Sequence, residues 1–312
     1  MTPTDLFPGF VRNTVEVPGA RIHVRVRGDG PVVVLLHGYP QTGAMWHPIA
    51  ARLAAEHTVV APDLRGYGAS ECLDGDHSFR AMAADVESVV RALRGHAGNG
   101  LTAGSNNDDD DDDDDEIIVL GHDRGARVAH RLVLDHPGLV ERVALLDILP
   151  TTEVWRLMDP EMIRAYFHWG FLARPEIAEP MIADAPVRFL HSALAGLYSP
   201  LDAFHPAALA EYEQAIRRPE VIRGICGDYQ AGATVDLDHD SADLDQRPGL
   251  PALVLWGARG KVGSQVDPLA TWRERLPAAE GMAIDAGHFL VEEAPERTWA
   301  ALEKFLSTQK IS

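Results

Sequence analysis

Residues 117–125 read IIVLGHDRG, and this stretch decides the fold. Its apolar start predicts a buried strand, and the pattern over residues 126–134 predicts a helix immediately afterwards. Between them, Gly121 and Gly125 flank Asp123 in the arrangement G-x-D-x-G, where glycines permit a sharp turn and a close approach of backbones. The stretch therefore predicts a strand–turn–helix unit that presents Asp123 at the tip of the turn.

An aspartate at this position predicts a nucleophile of a particular kind. A serine there would perform acyl transfer, whereas a carboxylate attacks an sp³ carbon, displaces a leaving group and becomes esterified. The helix N-terminus and two nearby arginines favour the ionised form of Asp123. The simpler interpretation is that Asp123 only caps the helix, but the preceding strand and both glycines favour the nucleophile.

The other apolar runs repeat this alternation of strand and helix. They are short and rich in β-branched residues, as in parallel strands covered on both faces, and residues 79–94 are typical of a helix between them. We therefore predict an α/β fold with a mostly parallel, doubly wound sheet, and an antiparallel strand pair at its N-terminal edge that includes residues 22–27. The predicted strands cover residues 31–37, 58–62, 117–121, 143–146, 252–256 and 282–285.

The alternation stops between residues 151 and 247. This region holds helical stretches and two aromatic clusters, and we interpret it as a helical cap inserted between two parts of a core, residues 1–150 and 248–312. A second insertion, residues 95–116, is an acidic loop of low complexity within the core. Proline breaks are predicted in the cap at Pro160, Pro175, Pro180, Pro186 and Pro206.

The composition excludes several classes of protein. The formal net charge of −19 argues against nucleic acid or an anionic membrane as partner. Asp108–Asp115 contributes eight of these charges, leaving −11, and is interpreted as a solvated loop without the spacing of a calcium site. Two distant cysteines and no apparent signal or membrane segment predict a cytoplasmic protein. An acidic protein that acts on an anion needs a local cationic pocket.

A base and an acid that orients it are predicted after later strands. His288 follows the last apolar run, at the carboxyl end of a strand, where open α/β sheets carry their sites. It would activate the water that hydrolyses an ester on Asp123. The acid that fixes the imidazole tautomer is either Asp147, at the end of its strand, or Asp267, which comes later after another strand. The position favours Asp147.

The remaining candidates surround the predicted nucleophile. The turn after residue 37 can aim the main-chain N–H of Tyr39 at a developing oxyanion, with the N–H of Arg124 as second donor. Arg124 and Arg127 lie on one helical face beside Asp123 and are predicted to bind an anionic substrate. The segment 63–70, DLRGYGAS, is interpreted as a structural turn.

Three aromatic residues of the predicted cap could donate hydrogen bonds to a departing halide. His168 and Trp169 are adjacent in sequence, and Tyr229 follows Asp228 in a second polar–aromatic segment. From the sequence alone, packing within the cap explains these residues equally well.

Together these features closely resemble the fluoroacetate (haloacetate) dehalogenases of the α/β-hydrolase superfamily. The resemblance runs from residue 37 to the end, and GHDRGAR with a later HW and DY is specific. Epoxide hydrolases and haloalkane dehalogenases usually carry tryptophan where Arg124 stands. The acidic insertion and Tyr39, where phenylalanine is common, depart from the family pattern. The motifs are HGYPQTGAMWH, DLRGYGAS, GHDRGARVAHRL, LDILPT, HWGFLA, CGDYQAGATVDLDHD and AGHFLVEEAPE.

The resemblance implies an enzyme that converts small 2-haloacids, such as fluoroacetate, into 2-hydroxy acids and halide. It implies that no metal or organic cofactor takes part, and that the protein forms a homodimer. The implied roles are Asp123 as nucleophile, His288 as base and Asp147 as its partner, with Arg124, Arg127 and Tyr39 contacting the substrate and His168, Trp169 and Tyr229 binding the halide.

Three alternatives stay open at this point. An epoxide hydrolase would use the same triad with Tyr229 as an acid, although Arg124 argues against it. A serine esterase is disfavoured because G-x-S-x-G does not occur. A non-catalytic receptor for a small ligand would not need the complete triad.

Overall fold

The computed structural model describes residues 5–95, 116–197 and 199–307. Within these ranges, one mixed sheet has the strand order β1-β2-β4-β3-β6-β7-β8-β9, and β5 pairs with β2. From β4 to β9 neighbouring strands are parallel, whereas β2 is antiparallel to β1, β4 and β5. The strands are β1 Val11–Val17, β2 Ala20–Arg27, β3 Val32–Leu36, β4 Thr58–Pro62, β5 Glu71–Cys72, β6 Ile117–His122, β7 Val140–Leu146, β8 Ala252–Gly257 and β9 Ala279–Ile284.

The central strands are buried along their whole length. Every residue of β3, β4 and β6 is buried, as expected for parallel strands covered on both faces. The edge strand β9 differs, because only its first and last residues are buried and Met282 is 53% exposed. The predicted parallel sheet and the antiparallel pair at its N-terminal edge are both observed.

Seven α-helices of the described chain lie outside the segment between β7 and β8. The helix predicted over residues 79–94 ends one residue later than expected, and the helix after the IIVLGHDRG stretch begins at Arg124. They are α1 His47–Leu53, α2 Phe79–Gly95, α3 Arg124–Asp135, α12 Val262–Gln265, α13 Pro268–Arg273, α14 Leu290–Glu293 and α15 Pro295–Leu306.

Eight more helices in the described chain lie between β7 and β8. Five of them begin with proline, which is favourable because an N–H group at the first helical position would have no hydrogen-bond partner within the helix. Pro180 was predicted to break a helix, which is wrong: it lies inside α7, between the buried residues Ala178 and Ile182 that anchor that helix. The helices are α4 Thr151–Arg156, α5 Pro160–Ala165, α6 Phe167–Leu172, α7 Pro175–Asp184, α8 Pro186–Gly196, α9 Pro206–Ile216, α10 Pro219–Gly232 and α11 Val235–Ala242.

The two ends of this helical segment are tied together. The carboxylate of Asp240 in α11 accepts hydrogen bonds from the main-chain N–H and the hydroxyl of Thr152 in α4, at 2.9 and 2.8 Å. Arg275, in the loop before β9, donates to the same hydroxyl at 2.6 Å. These hydrogen bonds therefore join the place where the chain leaves the sheet to the place where it returns. The division into core and cap stays a prediction.

Three further sequence expectations concern the acidic loop, the segment 63–70 and membrane-spanning helices. The acidic loop predicted over residues 95–116 lies almost wholly outside the described residues. Asp63 accepts the main-chain N–H groups of Gly43 and Ala69, both at 2.8 Å, and faces Arg25 at 3.3 Å, which agrees with a structural role for the segment 63–70. Across the described ranges, no helix combines the length and apolar character needed to cross a membrane.

Candidate active site

Asp123 lies at the tip of a tight turn between β6 and α3. Its φ and ψ are 48° and −116°, a backbone conformation that costs an L-residue about 1–3 kcal/mol. The glycines on either side allow this turn to touch its neighbours. A Cβ on Gly121 would lie 2.6 Å from Ala126 Cα, and one on Gly125 would lie 2.4 Å from the carbonyl oxygen of His37. The G-x-D-x-G pattern thus reflects close packing of the turn.

The two oxygens of the Asp123 carboxylate have different neighbours. The main-chain N–H of Tyr39 donates to Oδ2 at 3.0 Å, while Oδ1 lies 3.9 Å from His288 Nε2. Burial by itself would raise the pKa of Asp123. The charges of His288 and Arg124, together with the Tyr39 hydrogen bond, outweigh burial and hold this pKa below its usual value. Asp123 is therefore ionised at neutral pH.

His288 is oriented by Asp147. Its Nδ1 lies 2.6 Å from Asp147 Oδ2, and Asp147 Oδ1 accepts the main-chain N–H of Gly257 at 2.8 Å. Burial favours a neutral imidazole, but the hydrogen bond and charge of Asp147 outweigh it and raise the pKa of His288. The rival acid, Asp267, accepts the N–H groups of Leu269 and Ala270 as the N-cap of α13. The structure thus pairs His288 with Asp147.

The two arginines of α3 have different surroundings. Arg124 is ion-paired with Asp228 of α10: its Nε donates to Oδ2 at 2.9 Å and its Nη2 donates to the Asp228 carbonyl at 2.7 Å. Its guanidinium also packs on the rings of Phe79 and Tyr229, 4.6 and 4.4 Å from their centroids. Burial opposes the charge on Arg124, but Asp228 outweighs burial and raises the pKa of Arg124. No local sequence pattern predicts this pairing.

Arg127 has no such partner. It is buried, and none of its three side-chain nitrogens has a hydrogen-bond partner among the described residues. Its guanidinium lies 4.6 Å from the centroid of the Trp169 ring. Burial and the charge of Arg124 lower the pKa of Arg127 to about 10. Because a buried charge without a counter-ion is unfavourable, Arg127 creates a site that an anion would stabilise.

Four aromatic side chains form one cluster over these groups. The ring of His168 stacks on Tyr39, with centroids 5.5 Å apart, and meets Tyr229 edge-on at 5.7 Å. The ring of Trp169 meets Tyr229 at 6.1 Å. Burial lowers the pKa of His168 to about 3, so this imidazole is neutral and has one N–H to donate. The buried Tyr39 hydroxyl has no partner among the described residues, so the contact of Tyr39 with Asp123 is made by its main chain.

The structure thus brings every sequence-predicted site residue into one region, at the carboxyl ends of β3, β6, β7 and β9. It adds Asp228, which sequence reasoning placed in a polar–aromatic segment without a partner. Among residues 5–95, 116–197 and 199–307, no group of three or more His, Cys, Asp or Glu side chains could hold a metal ion. The arrangement can place a carboxylate nucleophile, an oriented imidazole and an unpaired guanidinium around one small molecule.

Known proteins resemble this chain over almost its whole length. Residues 33–301 match the model of the alpha/beta hydrolase family. A fluoroacetate dehalogenase from a Burkholderia species is 38% identical, over 97% of this chain and 95% of that protein. A soluble epoxide hydrolase from a Corynebacterium species is 32% identical, over 90% and 91%. A solved structure from Nostoc, described as an alpha/beta hydrolase, is 44% identical with a TM-score of 0.88, over 97% and 100%. The predicted fold and resemblance are confirmed.

Proposed function

The chain belongs to the α/β-hydrolase family, and on that premise we propose that it hydrolyses the carbon–halogen bond of small 2-halocarboxylates such as haloacetate. The observation that carries the proposal is the unpaired, buried guanidinium of Arg127, four residues after Asp123. A substrate carboxylate would supply the missing counter-ion and accept charge-assisted hydrogen bonds. The likeness to a fluoroacetate dehalogenase supports the same substrate class.

The first step of the proposed reaction forms an ester on Asp123. With the substrate carboxylate on Arg127 and beside Arg124, Oδ1 attacks the α-carbon from the side opposite the halogen. The new C–O bond forms as the carbon–halogen bond breaks, and halide departs with the bonding electrons. In this scheme His168, Trp169 and Tyr229 donate hydrogen bonds to the halide. Alignment of the three reacting atoms is the main source of acceleration, of order 7–11 kcal/mol at best.

The second step hydrolyses the ester. His288 Nε2 lies 3.9 Å from Asp123 Oδ1, which is beyond direct hydrogen bonding and leaves a position beside the carboxyl carbon for water. His288 takes a proton from this water as the oxygen attacks the carboxyl carbon. The negative charge that develops on Oδ2 is stabilised by the Tyr39 N–H, with the Arg124 N–H as the expected second donor. Collapse breaks the bond between the carboxyl carbon and Oδ1, and His288 returns its proton to the departing Oδ1 of the 2-hydroxy acid. The water oxygen stays in Asp123, which becomes a carboxylate again when the second water proton is lost to solvent.

Epoxide hydrolysis is the second candidate function. It is favoured by Tyr229, whose ring packs against Arg124 beside Asp123, and by the likeness to a soluble epoxide hydrolase. Tyrosine could donate a proton to the epoxide oxygen as the ring opens. A neutral epoxide would, however, leave the charge of Arg127 uncompensated, so we favour the 2-halocarboxylate.

A substrate panel tests the proposal. Halide release from fluoroacetate and chloroacetate would be measured beside turnover of styrene oxide and a nitrophenyl ester. We expect halide release to have the highest kcat/KM. Turnover of styrene oxide alone would replace the proposal with the epoxide hydrolase, and binding without turnover would indicate a receptor. A single turnover in ¹⁸O-labelled water tests the ester route separately, because the first label should enter Asp123 rather than the product.

A further inference from the structure

The short helix α14 carries two adjacent buried carboxyl groups, Glu292 and Glu293. Their side chains are 1% and 3% exposed. The helix begins two residues after His288, and its two carboxyls face different loops of the candidate active site. Neither group takes part in the proposed reaction. Glu293 is contacted by hydrogen-bond donors and a cation, whereas the basic group that faces Glu292 in the described part of the chain is a histidine.

Glu293 holds the loop of the proposed base. Its Oε2 accepts the main-chain N–H of Gly287 at 2.7 Å, and its Oε1 accepts that of Phe289 at 3.0 Å. These are the residues immediately before and after His288. The Ser199 hydroxyl donates to Oε1, and Arg259 Nη2 lies 3.4 Å from Oε2. All four contacts come from donors, which is the environment of an ionised carboxylate.

Glu292 has a different environment. Its Oε2 accepts hydrogen bonds from Gln41 Nε2 and from the Tyr212 hydroxyl, the latter at 3.1 Å, while its Oε1 has no partner among the described residues. The basic group that faces it is His47, whose Nε2 lies 4.0 Å from Oε1. Burial and the neighbouring His205 lower the pKa of His47 to about 4, so this imidazole brings no charge at neutral pH.

A neutral carboxyl group fits this position. Burial, together with the charge of Glu293, raises the pKa of Glu292 to about 8. Glu211, adjacent in sequence to Tyr212, is ion-paired with Arg25 at 2.6 Å. Protonation also gives Glu292 a donor, in a place where the buried Gln41 Oε1 is an acceptor without a partner.

Gln41 connects Glu292 to the proposed nucleophile. Its main-chain N–H donates to the carbonyl of Gly38 at 3.0 Å, which closes the turn that carries Tyr39. The Tyr39 N–H in turn holds Asp123 Oδ2 at 3.0 Å. The turn packs so closely against Asp123 that a Cβ on Gly38 would lie only 2.5 Å from Asp123 Cβ. A shift of Gln41 would therefore move the N–H that stabilises the developing charge.

We propose that Glu292 is a positioning residue that acts as a neutral acid, holding the 38–41 turn in place, and that loss of its proton sets the alkaline limit of turnover. Glu293, as a carboxylate, holds the His288 loop at the same time. One helix thus aligns the two loops on which ester hydrolysis depends. The inference rests on the proposed use of Asp123 and His288 and does not depend on which substrate class is correct.

The pH dependence of kcat for chloroacetate tests this proposal. In the wild-type enzyme kcat should fall above about pH 8, following the pKa of Glu292. In Glu292→Gln, which retains a neutral group of the same shape, kcat at pH 7 should stay within about threefold and show no fall between pH 7 and 9. Glu292→Leu should lose at least about tenfold at every pH, with KM little changed. The control Glu296→Gln alters a carboxylate that is 72% exposed and should keep the wild-type profile.

An unchanged alkaline limb in Glu292→Gln would overturn the proposal, as would a wild-type profile that stays flat to pH 9. If chloroacetate is not turned over, the proposed substrate class fails, and the same profiles are recorded with whichever substrate of the panel reacts. Thermal unfolding needs no substrate. Because the folded-state pKa of Glu292 is raised, wild-type stability relative to Glu292→Gln should fall as the pH rises from about 4.5 to about 8. If the stabilities of the wild type and of Glu292→Gln changed equally with pH, the proposal that Glu292 is a neutral acid would also be refuted.

Discussion

Replacement of Arg127 by methionine should have opposite effects on stability and on activity. The pKa of Arg127 is lowered to about 10, which corresponds to about 3 kcal/mol against the charged form. Methionine removes this penalty and fills similar space. It also removes the contact of the guanidinium with the Trp169 ring, worth about 0.5–2 kcal/mol. The free energy of unfolding should therefore increase by about 1–3 kcal/mol.

Activity should change in the other direction. If Arg127 is the counter-ion of the substrate carboxylate, the variant leaves that carboxylate buried without a partner, which costs about 3–5 kcal/mol. This corresponds to a loss of about 10²- to 10⁴-fold in kcat/KM. Urea denaturation measures the first effect, and halide release from chloroacetate measures the second. A gain in stability with loss of activity is typical of a residue kept for binding rather than folding.

Arg131 provides a matched control on the same helix. Its Nη2 is ion-paired with Asp135 at 2.6 Å and with Asp243 at 2.7 Å. Arg131→Met should therefore reduce stability, because it removes the buried cation that bridges two carboxylates and leaves them only the more exposed Arg80, at 2.9 and 3.5 Å. It should leave kcat/KM for chloroacetate close to that of the wild type. If Arg127→Met were destabilised and kept its activity, as expected for Arg131→Met, the assignment of Arg127 as the anion site would be refuted.

Three further variants test the other groups of the site. His288→Asn should accumulate a covalent adduct on the Asp123 peptide, detectable by mass spectrometry after incubation with chloroacetate; an unmodified peptide would contradict the ester route. Asp147→Asn should lower kcat by about 10²- to 10⁴-fold. Because Asp147 raises the pKa of His288 and the base must be neutral, the acid limb of the remaining activity should also move to lower pH. Asp228→Asn should destabilise the protein by about 3–5 kcal/mol, because the buried Arg124 loses its counter-charge. Urea denaturation measures this change, and a loss below about 1 kcal/mol would contradict the importance of the ion pair for stability.

Much of the sheet could be predicted because buried parallel strands have a strong local signature. The runs at β3, β4, β6 and β8 are continuous and apolar, and their predicted bounds lie within one residue of the observed ones. The starts of β7 and β9 were placed three residues too late. β7 begins at Val140, where pairing with Ile117 includes a register shift, and β9 begins at Ala279. Pairing with the neighbouring strand, which is not encoded in the local pattern, decides both starts.

The same distinction applies to the candidate site. Asp123, His288 and Asp147 could be picked out because each follows a predicted strand, and parallel strands bring their carboxyl ends to one edge. Asp228 could not be paired with Arg124, since 104 residues separate them and neither position carries a local sign of the contact. The contrast between Arg124 and Arg127 also depends on tertiary packing. Sequence identified both arginines but could not show which one lacks a counter-ion.

The link between Thr152 and Asp240 has a consequence for how such enzymes could diversify. These residues are 88 positions apart, yet they meet where the chain departs from the sheet and where it returns. A longer, shorter or rearranged set of helices grafted between two such anchor points would leave the strand order and the relative positions of Asp123, Asp147 and His288 undisturbed. Exchange of this whole segment with that of a relative is therefore a practical route to chimeras with altered substrate preference on an unchanged scaffold.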